Sequence, residues 1–282
     1  MVTRGRQSGL SLTEMAVVVA VMALLAGLTL PAVRMITESF ESGDSATSMI
    51  SSALASARAL AAKEGHYVGV RFQMACNYGS ADPLNPLKAS QYMILIMHDA
   101  SIMASGYRVV EGTKPMKLPD SIGVMDMTIV PDRNIVNPVN PTVETRLDDP
   151  SLSSAAANGL IDERHELVDT TTFSIIFSPT GKLVTQGVRV RRGSATDNVF
   201  NENTQVDAGV GMFYQDDYFL GSSSGLELGL GPEPSRNRFV VYNKVELKSA
   251  FEAGAAWSNY LVRLAGEASY INPHTGTIIA KD

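Results

Sequence analysis

Residues 4–33 read Arg-Gly-Arg-Gln-Ser-Gly-Leu-Ser-Leu-Thr-Glu-Met-Ala-Val-Val-Val-Ala-Val-Met-Ala-Leu-Leu-Ala-Gly-Leu-Thr-Leu-Pro-Ala-Val. Two cations, Arg4 and Arg6, precede a Gly9-to-Glu14 junction, and from Met15 no charge interrupts the apolar run until Arg34. A short basic leader with an apolar segment directly behind it marks a chain delivered to a membrane with its N-terminus kept in the cytoplasm. The run from Met15 to Val33 is long enough to span a bilayer as a helix. Gly27 and Pro31 interrupt it, and the missing proline N–H predicts a kink or a melted turn there.

An ordinary secretory signal would be cut behind the apolar run at a small-residue step. The sequence there, Leu30-Pro31-Ala32-Val33, is a poor match. The better scissile position lies in front of the run, between Gly9 and Leu10. Gly9 has no side chain and tolerates unusual backbone angles, which suits entry into a narrow protease cleft beside the membrane. Glu14 is costly at the head of an apolar helix, because an acidic side chain in hydrocarbon costs up to about 3 kcal/mol on insertion scales. Ser11 and Glu14 also stand in capping-box spacing, so the carboxylate has a local use in satisfying first-turn amides.

Gly9, Leu10, Ser11, Leu12, Thr13 and Glu14 together resemble the prepilin leader of type IV pilins and type II secretion pseudopilins. The family most often has Phe where this chain has Leu10. The resemblance implies cleavage by prepilin peptidase between Gly9 and Leu10, N-methylation of Leu10, and retention of the apolar helix on the mature chain. It also implies that Glu14 pairs with the freed α-amino group of a neighbouring subunit.

Beyond the apolar run the helical period resumes after a polar joint at 39–44. Met49, Ile50, Ala53, Leu54, Ala57, Leu60 and Ala61 form one apolar stripe, and Gly65 is placed to stop the helix. From His66 the pattern turns to strands, at 66–74, 92–97, 107–110, 122–130, 172–178 and 182–191. Phe239-Val-Val-Tyr242 reads as another strand. Residues 245–265 read as a second helix weakened by Gly254. Residues 131–158, with Pro138, Pro141 and Pro150, form a long polar insertion, and 194–231 is polar, acidic and then Gly- and Ser-rich.

Two turns share a pattern, Ser178-Pro-Thr-Gly181 and Asn272-Pro-His-Thr-Gly276, each with Pro for fixed φ and Gly for positive φ. The helix Ser51-Ser-Ala-Leu-Ala-Ser-Ala-Arg58-Ala-Leu-Ala-Ala followed by Glu64-Gly65-His-Tyr-Val-Gly-Val, the stretch Phe177-Ser-Pro-Thr-Gly181 and the Asn272-to-Gly276 turn together resemble the minor pseudopilins of the H type. Those domains are usually shorter, which makes 131–158 and 194–231 insertions. The expected organisation is a leader at 1–9, a membrane and assembly helix at 10–33, its amphipathic half at 34–65 and a β-rich periplasmic domain at 66–282. The fold class is α+β, a long N-terminal helix packed on an antiparallel sheet.

With 282 residues, 45% of them hydrophobic, the chain can bury a sizeable core. A net charge of −6 argues against nucleic acid as a partner. The one cysteine, Cys76, excludes an intrachain disulfide and reads as a small buried residue. His66, His98, His165 and His274 lack metal-ligand spacing. Asp197, Glu202, Asp207, Asp216 and Asp217 offer oxygen donors of the kind calcium takes, but without EF-hand spacing. No cofactor is expected, with calcium the one alternative. No nucleophile elbow, P-loop or His-Glu-x-x-His motif occurs, so the chain is expected not to be an enzyme.

The resemblance implies a filament subunit of the bacterial inner membrane, single-pass with its C-terminal domain in the periplasm. Its partners would be prepilin peptidase, other pilin or pseudopilin subunits, the inner-membrane assembly platform and the lipid bilayer. The competing expectation is a membrane-anchored periplasmic binding domain that never polymerises.

Overall fold

The computed structural model describes residues 43–74, 87–100, 106–129, 144–162, 164–190 and 233–279. Gly9, Leu10, Glu14, Gly27, Pro31 and Cys76 lie outside the described residues, as do the acidic residues considered for calcium.

Helix α1 (Gly43–Glu64) carries the apolar stripe. Ala46, Ile50, Ala53, Leu54, Ala57 and Ala61 recur three and four residues apart on one face, and all are buried. The helix ends where Gly65, at φ +69°, donates its N–H to the Ala61 carbonyl at 3.0 Å. That bond satisfies a carbonyl which the helix would otherwise leave open.

Strands follow. They are β1 (Val68–Met74), β2 (Gln91–His98), β3 (Gly106–Val109), β4 (Met116–Lys117) and β5 (Ile122–Met125). Next come β6 (Thr128–Ile129) and β7 (Thr145–Arg146), the short helix α2 (Ser154–Gly159) and α3 (Arg164–Thr171). Then come β8 (Phe173–Phe177), β9 (Leu183–Val184), β10 (Gly187–Val190) and, after residues not described, β11 (Glu233–Pro234) and β12 (Arg238–Asn243). The C-terminal part holds α4 (Lys244–Glu252), a π-helical turn Trp257–Leu261, α5 (Val262–Ala265), β13 (Ser269–Ile271) and β14 (Ile278–Ile279).

The main sheet has the order β11-β10-β3-β2-β1-β8-β9, with β4 also on β2. Its pairings are antiparallel except that β10 runs parallel to β3. A second sheet has the order β14-β13-β12-β5, and β6 pairs with β7. The sequence reading of a single antiparallel sheet is therefore too simple: two sheets and a hairpin share the β-structure, and one pair is parallel. The described residues are α+β in class.

Helix α1 packs against β1, β2 and β8 of the main sheet and β12 of the second. Ile50, Leu54 and Ala57 meet Val70, Phe72, Phe173, Ile175 and Phe177 from one sheet and Val124, Phe239 and Ile271 from the other in one core. The Phe72 and Phe173 rings stack at 4.7 Å. Burying each such aliphatic or aromatic side chain contributes about 2 kcal/mol, so the helix is held mainly by its apolar face. A second core gathers Met125, Met127, Leu147, Leu167, Tyr242, Leu247, Trp257 and Leu261 beneath the C-terminal helices.

Several elements depart from the sequence reading for identifiable reasons. The strand expected over 122–130 is split, because Met127 takes φ +59° and breaks the pleat between β5 and β6. The helix expected over 245–265 breaks at Gly254, where φ is +67°, and resumes as the π-helical turn. Within the insertion expected over 131–158, the described part carries β7 and α2, with Ser153 Oγ accepting from the Ala156 N–H as the cap of α2. Helix α3 had no counterpart in the reading, since its sequence Arg-His-Glu-Leu-Val-Asp-Thr-Thr has little apolar periodicity.

Candidate functional site

Three of the stretches that carry the resemblance to H-type pseudopilins, the helix and the two turns, meet at one side chain. Arg58 projects from α1 and donates from Nε to the Gly181 carbonyl at 2.9 Å. Its Nη1 donates to the Thr275 carbonyl at 2.5 Å and its Nη2 to the His274 carbonyl at 3.3 Å. One planar guanidinium thus serves two turns, a geometry its rigid fork allows and a lysine ammonium does not. Both turns are shaped to receive it. Gly181 donates its N–H to the Ser178 carbonyl at 2.8 Å. Gly276 donates to the Asn272 carbonyl at 2.8 Å, and Asn272 Oδ1 accepts from the His274 and Thr275 amides.

Glycine is favoured at 181 and 276 by the backbone, and the space around both is tight. Both sit at positive φ, near +74° and +69°. A Cβ would lie 3.1 Å from Arg58 Nε at Gly181, and at Gly276 it would lie 3.0 Å from the Phe177 ring and 3.2 Å from Arg58 Cδ. The turns are also joined directly, since the Leu183 amide donates to the Pro273 carbonyl at 2.8 Å.

A second polar cluster runs along β12 and the segment before it. Arg236 Nε donates to Asp126 Oδ2 at 2.5 Å, and its two Nη atoms grip both oxygens of Glu144 at 2.8 and 2.9 Å. Arg238 holds Asp148 in the same two-pronged way at 2.6 and 2.8 Å, and Arg146 adds two bonds to that carboxylate. Burial alone would raise the Asp148 pKa, but the hydrogen bonds and charges of Arg238 and Arg146 outweigh it and hold the carboxyl well below its usual range. Burial would likewise lower Arg236, but the Asp126 charge and the bonds and charge of Glu144 push it up.

On the face of the main sheet turned away from α1, Arg71 is fully buried. It donates from Nε to Gln73 Oε1 and from Nη1 to Ser174 Oγ, both at 3.1 Å, and from Nη1 to Glu233 Oε1 at 2.6 Å. Nearby, Tyr67, His98 and Tyr107 meet edge to face at centroid distances of 6.1 and 5.4 Å. Burial pushes the Tyr107 hydroxyl pKa up, and the hydrogen bond from Gln186 Nε2 offsets only part of that.

These clusters hold segments together, and their donors and acceptors are directed at one another. None presents a nucleophile beside a base. Among the described residues no group of three or more His, Cys, Asp or Glu side chains is placed to hold a metal ion, and no helix is long and apolar enough to cross a membrane. No family model, curated protein or solved structure matches this chain.

Sequence reasoning singled out both Pro-and-Gly turns and the helix bearing Arg58, but not that they touch. The available signal was an arginine on a helix otherwise made of Ser, Ala and Leu between 51 and 62. The carboxylate partners Asp126, Glu144 and Asp148 were missed, because pairs some 90 to 110 residues apart leave no local pattern.

Proposed function

We propose that this chain is a structural subunit, a minor pilin or pseudopilin, of a type II secretion pseudopilus or type IV pilus. Prepilin peptidase cuts it after Gly9, and it assembles through its N-terminal helix. The observation that carries the reading is the order of the sequence from Arg4 to Val33: basic leader, Gly9-Leu10, Glu14, then an uncharged run. In support, the first described helix, α1, is amphipathic and packed on β-structure, as this reading requires of the segment that follows the apolar run in sequence.

In this reading the new α-amino group of Leu10 meets Glu14 of the adjoining copy. An acid in a membrane-like environment is stable only opposite a cation, so Glu14 sets the axial register of each incoming subunit. The chain carries no catalytic step. Its partners are the peptidase, sister subunits, the assembly platform and the inner-membrane bilayer, and the β-rich domain faces the periplasm.

Intact-mass measurement of the protein extracted from bacterial membranes tests this. The expected chain starts at Leu10 and carries one additional methyl group. An intact Met1-to-Gly9 leader would overturn the filament reading in favour of a tethered periplasmic binding domain.

A further inference from the structure

We propose that Arg58 is the coupling residue through which the turn at 178–181 and the C-terminal hairpin at 269–279 open and close as one unit on helix α1. The proposal stands on the described residues alone and does not depend on whether the chain polymerises.

The bonds of Arg58 span 123 residues to Gly181 and more than 200 to His274 and Thr275. They bring a helix, a turn of the main sheet and a turn of the second sheet to one charged group. Among the described residues its hydrogen-bond partners are backbone carbonyls. A guanidinium holding carbonyls fixes the path of the chain, whereas one holding a flexible carboxylate would tether only a side chain. The carbonyls it takes belong to Gly181 on one turn and to His274 and Thr275 on the other, beside the glycines that shape each. Withdrawing the guanidinium therefore unsettles both turns at the residues that define them.

Two features make the opening common to both. The Leu183-to-Pro273 bond joins the turns across the gap between the sheets. Phe177, the last residue of β8, packs beneath Gly276, so the hairpin turn rests on the strand that leads into the other turn. Beyond this junction, the pairing of β13 with β12 and the buried Ile271, the outer edge of the hairpin is lightly held. Its outer strand β14 has two residues, and Tyr270 and Ile279, paired across it, are 39% and 49% exposed. Segments with few buried contacts open at the low end of the stability range, and here the junction at Arg58 sets that opening.

Native-state hydrogen exchange on the full chain in detergent micelles, read by mass spectrometry across a series of low denaturant concentrations, tests the proposal. In the wild-type protein the amides of Gly181, Leu183, Ile271 and Gly276 are expected to share one opening free energy and one denaturant slope. Arg58→Lys keeps the charge and the aliphatic stem but loses the fork. It is expected to speed exchange at all four amides by a common factor of about tenfold or more, with Val70 and Phe72 in β1 unchanged. The proposal is overturned if the two turns show different slopes in the wild-type protein. It is also overturned if Arg58→Lys loosens one turn without the other, loosens neither, or loosens β1 equally.

Discussion

At the scale of single residues, the most consequential polar side chain inside the fold is Gln91, which is fully buried. Its Nε2 donates to the Val124 carbonyl at 2.7 Å and to the Thr171 carbonyl at 2.8 Å, and its Oε1 accepts from the Val124 amide at 2.7 Å. The amide thus acts as a short piece of strand, pairing the start of β2 with β5 and closing the end of α3. Gln91→Leu preserves volume, removes all three bonds and takes from the buried Val124 N–H and C=O the side chain that serves them. Each orphaned group costs about 1 to 3 kcal/mol, and relaxation recovers part of the sum. The expected loss is about 3 kcal/mol, read as a lower denaturant midpoint at unchanged slope. A midpoint within error of the wild type would mean that the bonds contribute nothing net.

At the scale of elements, β12 is held on both faces by different physics. Phe239 and Val241 face the α1 core, while Arg238, together with Arg236 just before the strand, fastens the β6–β7 region through Asp126, Glu144 and Asp148. Because the Asp148 pKa is lower in the folded chain than in the unfolded one, its ion pairs stabilise fully above about pH 4, the ordinary carboxylate range. That contribution falls away as pH drops through the depressed folded value. Asp148→Asn leaves Arg238 without its anion and is expected to cost about 3 kcal/mol at pH 7. It should also flatten the loss of stability that the wild-type protein shows below pH 4, as followed by denaturant titrations from pH 7 to pH 2. An unchanged acid limb would assign acid sensitivity to other carboxylates. Helix α1 was legible from sequence because its burial follows a local period of 3.6, and strand β1 because apolar residues alternate with Gly69, Arg71 and Gln73, although all seven are buried. The ladder on β12 was not, because Arg236 and Arg238 look like ordinary exposed charges until the chain brings their partners from residues 126–148.

At the scale of the whole molecule, the described residues give an α+β body whose first helix, α1, is fixed to β-structure by an apolar face and by Arg58. The N-terminal sequence carries the functional proposal: local chemistry offered a basic leader, a glycine, an acid and a run without charge, and the resemblance to prepilin leaders supplied the cleavage and the pairing of Glu14. The two parts make a joint prediction. In the proposed filament the cation opposite Glu14 does not exist until the bond after Gly9 is cut, so a block to cleavage and a loss of the acid should fail at the same step for different reasons. Gly9→Val puts a β-branched side chain where the peptidase needs none. It should leave the leader on, leave membrane insertion intact and abolish recovery in sheared filaments. Glu14→Ala should be cleaved normally, start at Leu10 by mass and be equally absent from filaments, because neither variant can form the pair between neighbouring copies. Both changes lie far along the chain from the β-domain, so its thermal unfolding should match that of the wild type. If Glu14→Ala were recovered in filaments at wild-type levels, the acid would have no part in register and would revert to capping the first turn with Ser11.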